Sequence, residues 1–180
     1  AEQAHARRGD TTRWAAWITG QADAQPSRLG LRRAQAQALS AAGRTDEALE
    51  VLAEVAKRTP GDHGARWQRV ELLDRALRAQ AAFEECAALA REDPSEAAGL
   101  RLAELAFRVE KPAEVKRALD GVLAAADPAR RVSLAALYAR YGQPESSERA
   151  WRAELQGEHA GQALRELARH LQRAGRDSEA

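Results

Sequence analysis

The sequence predicts an all-α chain, an α-solenoid in which short antiparallel helices pair and the pairs stack. Three observations lead there. Pro26, Pro60, Pro94 and Pro128 recur every 34 residues, a period that belongs to helical repeats whose units bury their apolar faces only on one another. Between them, apolar residues fall at helical spacing in short segments separated by glycine or proline. Finally, 44% of residues are hydrophobic but only 4% are aromatic, so burial must come from thin layers of Ala, Leu and Val, which suit close helix packing.

Taken in order, Gly9 and Asp10 introduce a helix running through Trp14, Trp17 and Ile18 to Pro26, and the two tryptophans are expected to pack on the same side as Ile18. The clearest pair follows. Its first helix, around Leu31 to Ala42, stops at Gly43, the residue best suited to the left-handed backbone that closes a helix. Thr45, Asp46 and Glu47 offer a cap and an acidic first turn for the second helix, whose inner side carries Ala48, Leu49, Leu52 and Val55. Pro60 ends it.

The next pair has weaker punctuation: Val70 and Leu73 mark one inner side, then Ala82, Cys86 and Leu89 the other, before Pro94. A third shows Leu102, Ala103 and Ala106, then Pro112 at a helix start where a missing N–H costs nothing, then Val115, Leu119 and Val122. The fourth reads Leu134, Ala135 and Tyr138, then Gly142, Pro144, Ser147 and Trp151. In this register Pro128 opens a first helix rather than closing a second one. A last helix carries Leu167, Ala168 and Leu171, reaches Gly175, and the chain stops soon after. The expected organisation is a single array with units at 29–62, 63–95, 96–127 and 128–160, flanked by partial units at 1–28 and 161–180. With both ends inside units, and with no methionine anywhere, the chain reads as part of a longer protein.

These residues resemble the tetratricopeptide repeat (TPR) family. That motif places Leu and a small residue one turn before an aromatic or Leu, then Gly at the turn, Ala on the second helix, a large apolar residue one turn on, and Pro at the close. Leu134, Ala135, Tyr138, Gly142 and Trp151 fit it, with Ser147 in place of Ala. Ala36, Leu39, Gly43, Ala48, Leu52 and Pro60 fit as well, with Gln35 where Leu is usual. The resemblance covers nearly the whole chain and implies a right-handed solenoid of about five units.

Chemistry finds little footing. His5, His63, His159 and His170 are scattered and form neither a zinc helix nor a partnership with a nucleophile. Cys86 is the single cysteine and falls on an apolar side, as an inert packing thiol does. Glu47 and the Glu84–Glu85 pair read as solvated helix charges. No glycine-rich phosphate loop occurs. The expectation is no catalysis, no cofactor and no metal. The formal net charge of +1 removes the electrostatic argument for nucleic acid, and no apolar run reaches the ~18 residues of a membrane span.

A binding role is the better reading, because stacked pairs create a groove lined by their first helices. The resemblance assigns to it Arg33 and Gln37, then Trp67, Glu71, Asp74 and Arg75, then Leu100, Glu104, Phe107 and Arg108. Val132, Ala136 and Arg140 follow, then Arg165, Arg169 and Arg173. Arg75, Arg108, Arg140 and Arg173 occupy equivalent places near the ends of first helices, a ladder able to grip carboxylates by forked hydrogen bonds or simply to offset helix dipoles. The expected partner is a protein or peptide segment, with an acidic ligand as a further candidate. The expected function is a protein-interaction scaffold. The alternative implied by the resemblance is a TPR region of a bacterial envelope assembly, of the exopolysaccharide-export or cytochrome-maturation kind, which would place the segment in the periplasm.

Overall fold

The computed structural model describes residues 2–176 and Glu179. Among them there are ten helices and no strand. They run α1 (Glu2–Ala24), α2 (Leu29–Ala41), α3 (Thr45–Arg58), α4 (His63–Arg75), α5 (Ala79–Glu92), α6 (Glu96–Arg108), α7 (Pro112–Ala125), α8 (Pro128–Arg140), α9 (Pro144–Ala153) and α10 (Ala160–Arg173). The chain forms two compact units, Ala1–Leu89 and Ala90–Ala180.

In the first unit α2 packs on α3, and α1 on α2. The buried stripe of α3 is Ala48, Leu49, Leu52 and Val55, the residues its periodicity predicts. Across α4 and α5, Val70, Leu73, Ala82, Cys86 and Leu89 are all buried. Burying each such Leu or Val contributes about 1.5–3 kcal/mol, far more than the few tenths that an exposed ion pair supplies, so these stripes rather than the surface charges hold the helices together. One carboxylate in this unit is not a solvated charge: Glu85 is mostly buried, bound by Arg66 at 2.8 Å and Arg69 at 2.7 Å. The reason is register, since Glu85 directly precedes Cys86 on the side of α5 that meets α4. Glu47 is exposed and paired with Arg44, and Glu84 accepts from Gln80.

The second unit repeats the plan through α6 with α7 and α8 with α9. Pro112, Pro128 and Pro144 each start a helix. Ser147 stands where other pairs have Ala, and its hydroxyl donates to the Ala135 carbonyl at 2.6 Å while accepting from the Ala139 N–H at 2.9 Å. Trp151 Nε1 donates to the Val132 carbonyl at 3.0 Å. All three bonds tie α9 to α8. Between α9 and α10, Glu148 is buried with Arg176 at 2.6 Å and Arg152 at 3.0 Å, and His170 packs on Trp151 with ring centroids 5.5 Å apart.

One corner recurs through both units. After α2, α4, α6, α8 and α10 the backbone turns left-handed at Gly43, Leu77, Glu110, Gly142 and Gly175. At each, the next N–H returns to a carbonyl five residues earlier, as in Arg44 to Leu39 and Arg78 to Leu73, at 2.8–2.9 Å. The weak punctuation of the middle pairs thus conceals the same corner, built on non-glycine residues.

Four local expectations are corrected. Thr45 is the first residue of α3 and not its cap, which falls on Arg44 without a side-chain bond. The first helix begins before Gly9 and Asp10, at Glu2. Trp14 and Trp17 are not core: they are 49% and 55% exposed, stacked on each other with centroids 5.1 Å apart. Ala15, Ile18 and Ala22 form the buried stripe of α1, and at 100° per residue the tryptophans fall to its side. Lastly, Val132 is fully buried rather than facing a groove.

Candidate functional site

The predicted binding residues fall into two sets, one in each compact unit. In the first, Asp62 caps α4 by accepting from the Ala65 N–H at 3.2 Å and also meets Arg33 Nη1 at 3.3 Å. Arg33 lies over Gly64, where an added Cβ would come within 2.7 Å of its guanidinium nitrogen. The arginine is thereby committed to α4. Gln37, Glu71 and Arg75 are exposed, whereas Trp67 and Asp74 are half-buried. Arg75 Nε donates back to the Glu71 carbonyl at 3.3 Å, so part of its role is to satisfy the end of α4.

The second cluster sits at the ends of α6 and α8. Phe107 is 46% exposed, and its ring lies 5.4 Å from that of Tyr141. The Arg140 guanidinium stands 5.8 Å from the centre of the Tyr141 ring, on its face, within range of a cation–π contact. Burial pushes the Tyr141 hydroxyl above its usual range, against the opposing pull of Arg140. Glu104 is held by Arg101 at 2.7 Å, and Arg108 is exposed beside Phe107. Leu100 is half-buried and Ala136 exposed. On α10, Arg165, Arg169 and Arg173 are exposed, with Arg169 paired to Glu166 at 2.7 Å.

Arg75, Arg108, Arg140 and Arg173 are each the final residue of their helix, two before the left-handed corner. This placement fixes their equivalence, and all four are exposed. Tyr141, missed in the sequence, completes the second cluster. Its position one residue past Arg140 and one before Gly142 was the available signal.

Cavities lie elsewhere. One of about 410 Å³ opens along α6 and α7 over Gly99, Leu102 and Val122, and another of about 500 Å³ lies between α9 and α10 beside Glu148 and His170. Among the described residues no group of three or more His, Cys, Asp and Glu side chains could hold a metal ion. The side chain of His5 lies outside the described residues. No described helix is long and apolar enough to cross a membrane.

Helices of this length, paired and closed by one recurring corner, define a TPR-like helical repeat. Solved structures agree on the fold. A tetratricopeptide repeat protein from Parabacteroides merdae matches with a TM-score of 0.62 at 15% identity, over 98% of this chain and 72% of that one. MamA from Desulfovibrio magneticus matches at 0.59 and 16% identity, over 84% and 87%. YrrB, described as a TPR protein with an unusual peptide-binding site, matches at 0.58 and 12% identity, over 88% and 84%. No protein-family model matches the sequence, and no curated protein matches it.

Proposed function

We propose that the protein is a non-catalytic interaction scaffold that binds a protein segment against its first helices, with the Phe107–Tyr141–Arg140 corner as the principal contact. The carrying observation is the exposure of Phe107 beside a ring already engaged by a guanidinium. Exposed aromatics with adjacent arginine are the residue types that dominate protein interfaces. Arg108 and Arg140 favour a segment that brings a carboxylate next to an apolar side chain, by charge-assisted hydrogen bonds. In the first unit, Trp67, Gln37 and Glu71 supply a contact surface of mixed polarity, and the peptide-binding site named for YrrB agrees with this general role. The same surface would serve a TPR region that docks an enzyme or secretion component in an envelope assembly.

The test is selection of peptides from a displayed library by the 180-residue chain, followed by affinity measurement. Phe107→Ala and Arg140→Glu should each weaken the selected peptides about tenfold or more, as loss of a central interface anchor does. Helical circular dichroism should stay unchanged. Peptides that bind both variants as they bind the parent chain would reject this corner as the site.

A further inference from the structure

Eleven residues before each left-handed corner from Gly43 to Gly142, the first helix carries Arg32, Arg66, Gly99 and Arg131. The three arginines are held in place. Arg32 donates to Asp23 at 2.9 Å and to Gln35 at 3.0 Å. Arg66 and Arg131 reach across to carboxylates that follow the corner of their own pairs, Glu85 at 2.8 Å and Glu154 at 2.7 Å. Counted from the corner, the places of Glu85 and Glu154 are taken in the third pair by Ala118 and Val122. Helices α6 and α7 therefore lack the arginine and both carboxylates at once.

Where side chains of the other pairs cross between helices, the third pair has its cavity of about 410 Å³, floored by Gly99, Leu102, Ala118, Gly121, Val122 and Ala125. The equivalent cavity beside Arg32 is smaller, about 260 Å³. All residues lining the larger one lie between 90 and 126, within the second compact unit and with helices before and after them in the sequence. Ion pairs mark its two ends, Glu96 with Arg130 where α6 begins and Glu114 with Arg117 where α7 begins. The volume falls within the ~300–1,000 Å³ usual for small-molecule sites.

We propose that this cavity binds a small uncharged ring compound, lying over Gly99 and Gly121 against Leu102 and Val122. A charged group on this floor would meet no partner of opposite sign, which makes its burial there unfavourable. Water on the same floor meets methyl groups instead of donors and acceptors, so an apolar molecule displaces it favourably. The two ion pairs close the ends of the trench, which suits a compact molecule better than an extended peptide. None of these residues belongs to the Phe107–Tyr141–Arg140 corner, so the two sites are independent.

Titration of the 180-residue chain with 2-naphthol, followed by amide NMR at pH 7, tests this, with phenylguanidinium and 2-naphthoate as charged counterparts. The naphthol should give saturable shifts centred on Gly99 and Gly121, and each ion should bind about tenfold more weakly or worse. In Gly121→Phe the new Cβ enters open space, so circular dichroism should stay parental while the added ring occupies the cavity. Naphthol affinity should then fall about tenfold or more, as it does when a pre-formed pocket is filled. Gly99→Arg combined with Val122→Glu, which restores the side chains of the fourth pair, should weaken binding as much. Absence of saturable shifts at Gly99 and Gly121, or unchanged affinity in Gly121→Phe, overturns the proposal. Either ion binding as tightly as the naphthol overturns it too, and phenylguanidinium doing so would mark the cavity as a place for a partner's arginine.

Discussion

At the scale of single residues, the left-handed corners are where sequence and backbone disagree most usefully. Gly43, Gly142 and Gly175 adopt positive φ without a Cβ penalty, but Leu77 at 59° and Glu110 at 56° do so against it. Both side chains are exposed, so removing them forfeits little packing. Leu77→Gly and Glu110→Gly should therefore each stabilise the protein by about 1 kcal/mol, read as a higher urea midpoint with unchanged slope. The glycine corners were legible in the sequence because glycine announces them. Those at Leu77 and Glu110 were not, because propensity opposes a geometry that packing on either side imposes.

Tyr138 supplies a second residue-scale expectation. Burial, followed by its hydrogen bond to Asp120, pushes the Tyr138 hydroxyl well above its usual range. The folded chain thus holds this proton more tightly than the unfolded one. The stabilisation is full below about pH 10, the ordinary tyrosine value, and is lost as pH rises past it. For Asp120 burial acts upward, but hydrogen bonds from Lys116 and Tyr138 outweigh it and lower the carboxylate. Urea midpoints measured from pH 8 to 11 should fall less steeply for Tyr138→Phe than for the parent chain.

At the scale of helices, close approach is the property that the apolar pattern did not reveal. Gly99 faces Val122 so tightly that an added Cβ would overlap Val122 Cγ2. Gly99→Ala gains up to about 1 kcal/mol of helix propensity but incurs about 1–3 kcal/mol of overpacking, and with Val122 buried the overlap should win. Val122→Ala in the same chain should recover part of the loss, a coupling that a double-mutant cycle measures. Periodicity alone identified nearly every buried stripe from α3 to α9. It failed on α1 because Trp14, Trp17 and Ile18 satisfy a helical spacing while only Ile18 joins Ala15 and Ala22 beneath α2. The candidate site was legible in part for the same reason: the helix-end arginines could be counted, but Tyr141 lies beyond the helix and outside any periodic pattern.

At the scale of the molecule, local helix pairing makes stability a property of neighbours rather than of one shared core. Gly99→Ala should accelerate amide hydrogen exchange in α6 and α7 while leaving α2 and α3 nearly unchanged. The chain also carries its own instrument for this comparison. Cys86, the single thiol, is fully buried in α5, so a thiol reagent can reach it only when that region opens. Its labelling rate is a clock for opening in the first compact unit that requires no introduced probe.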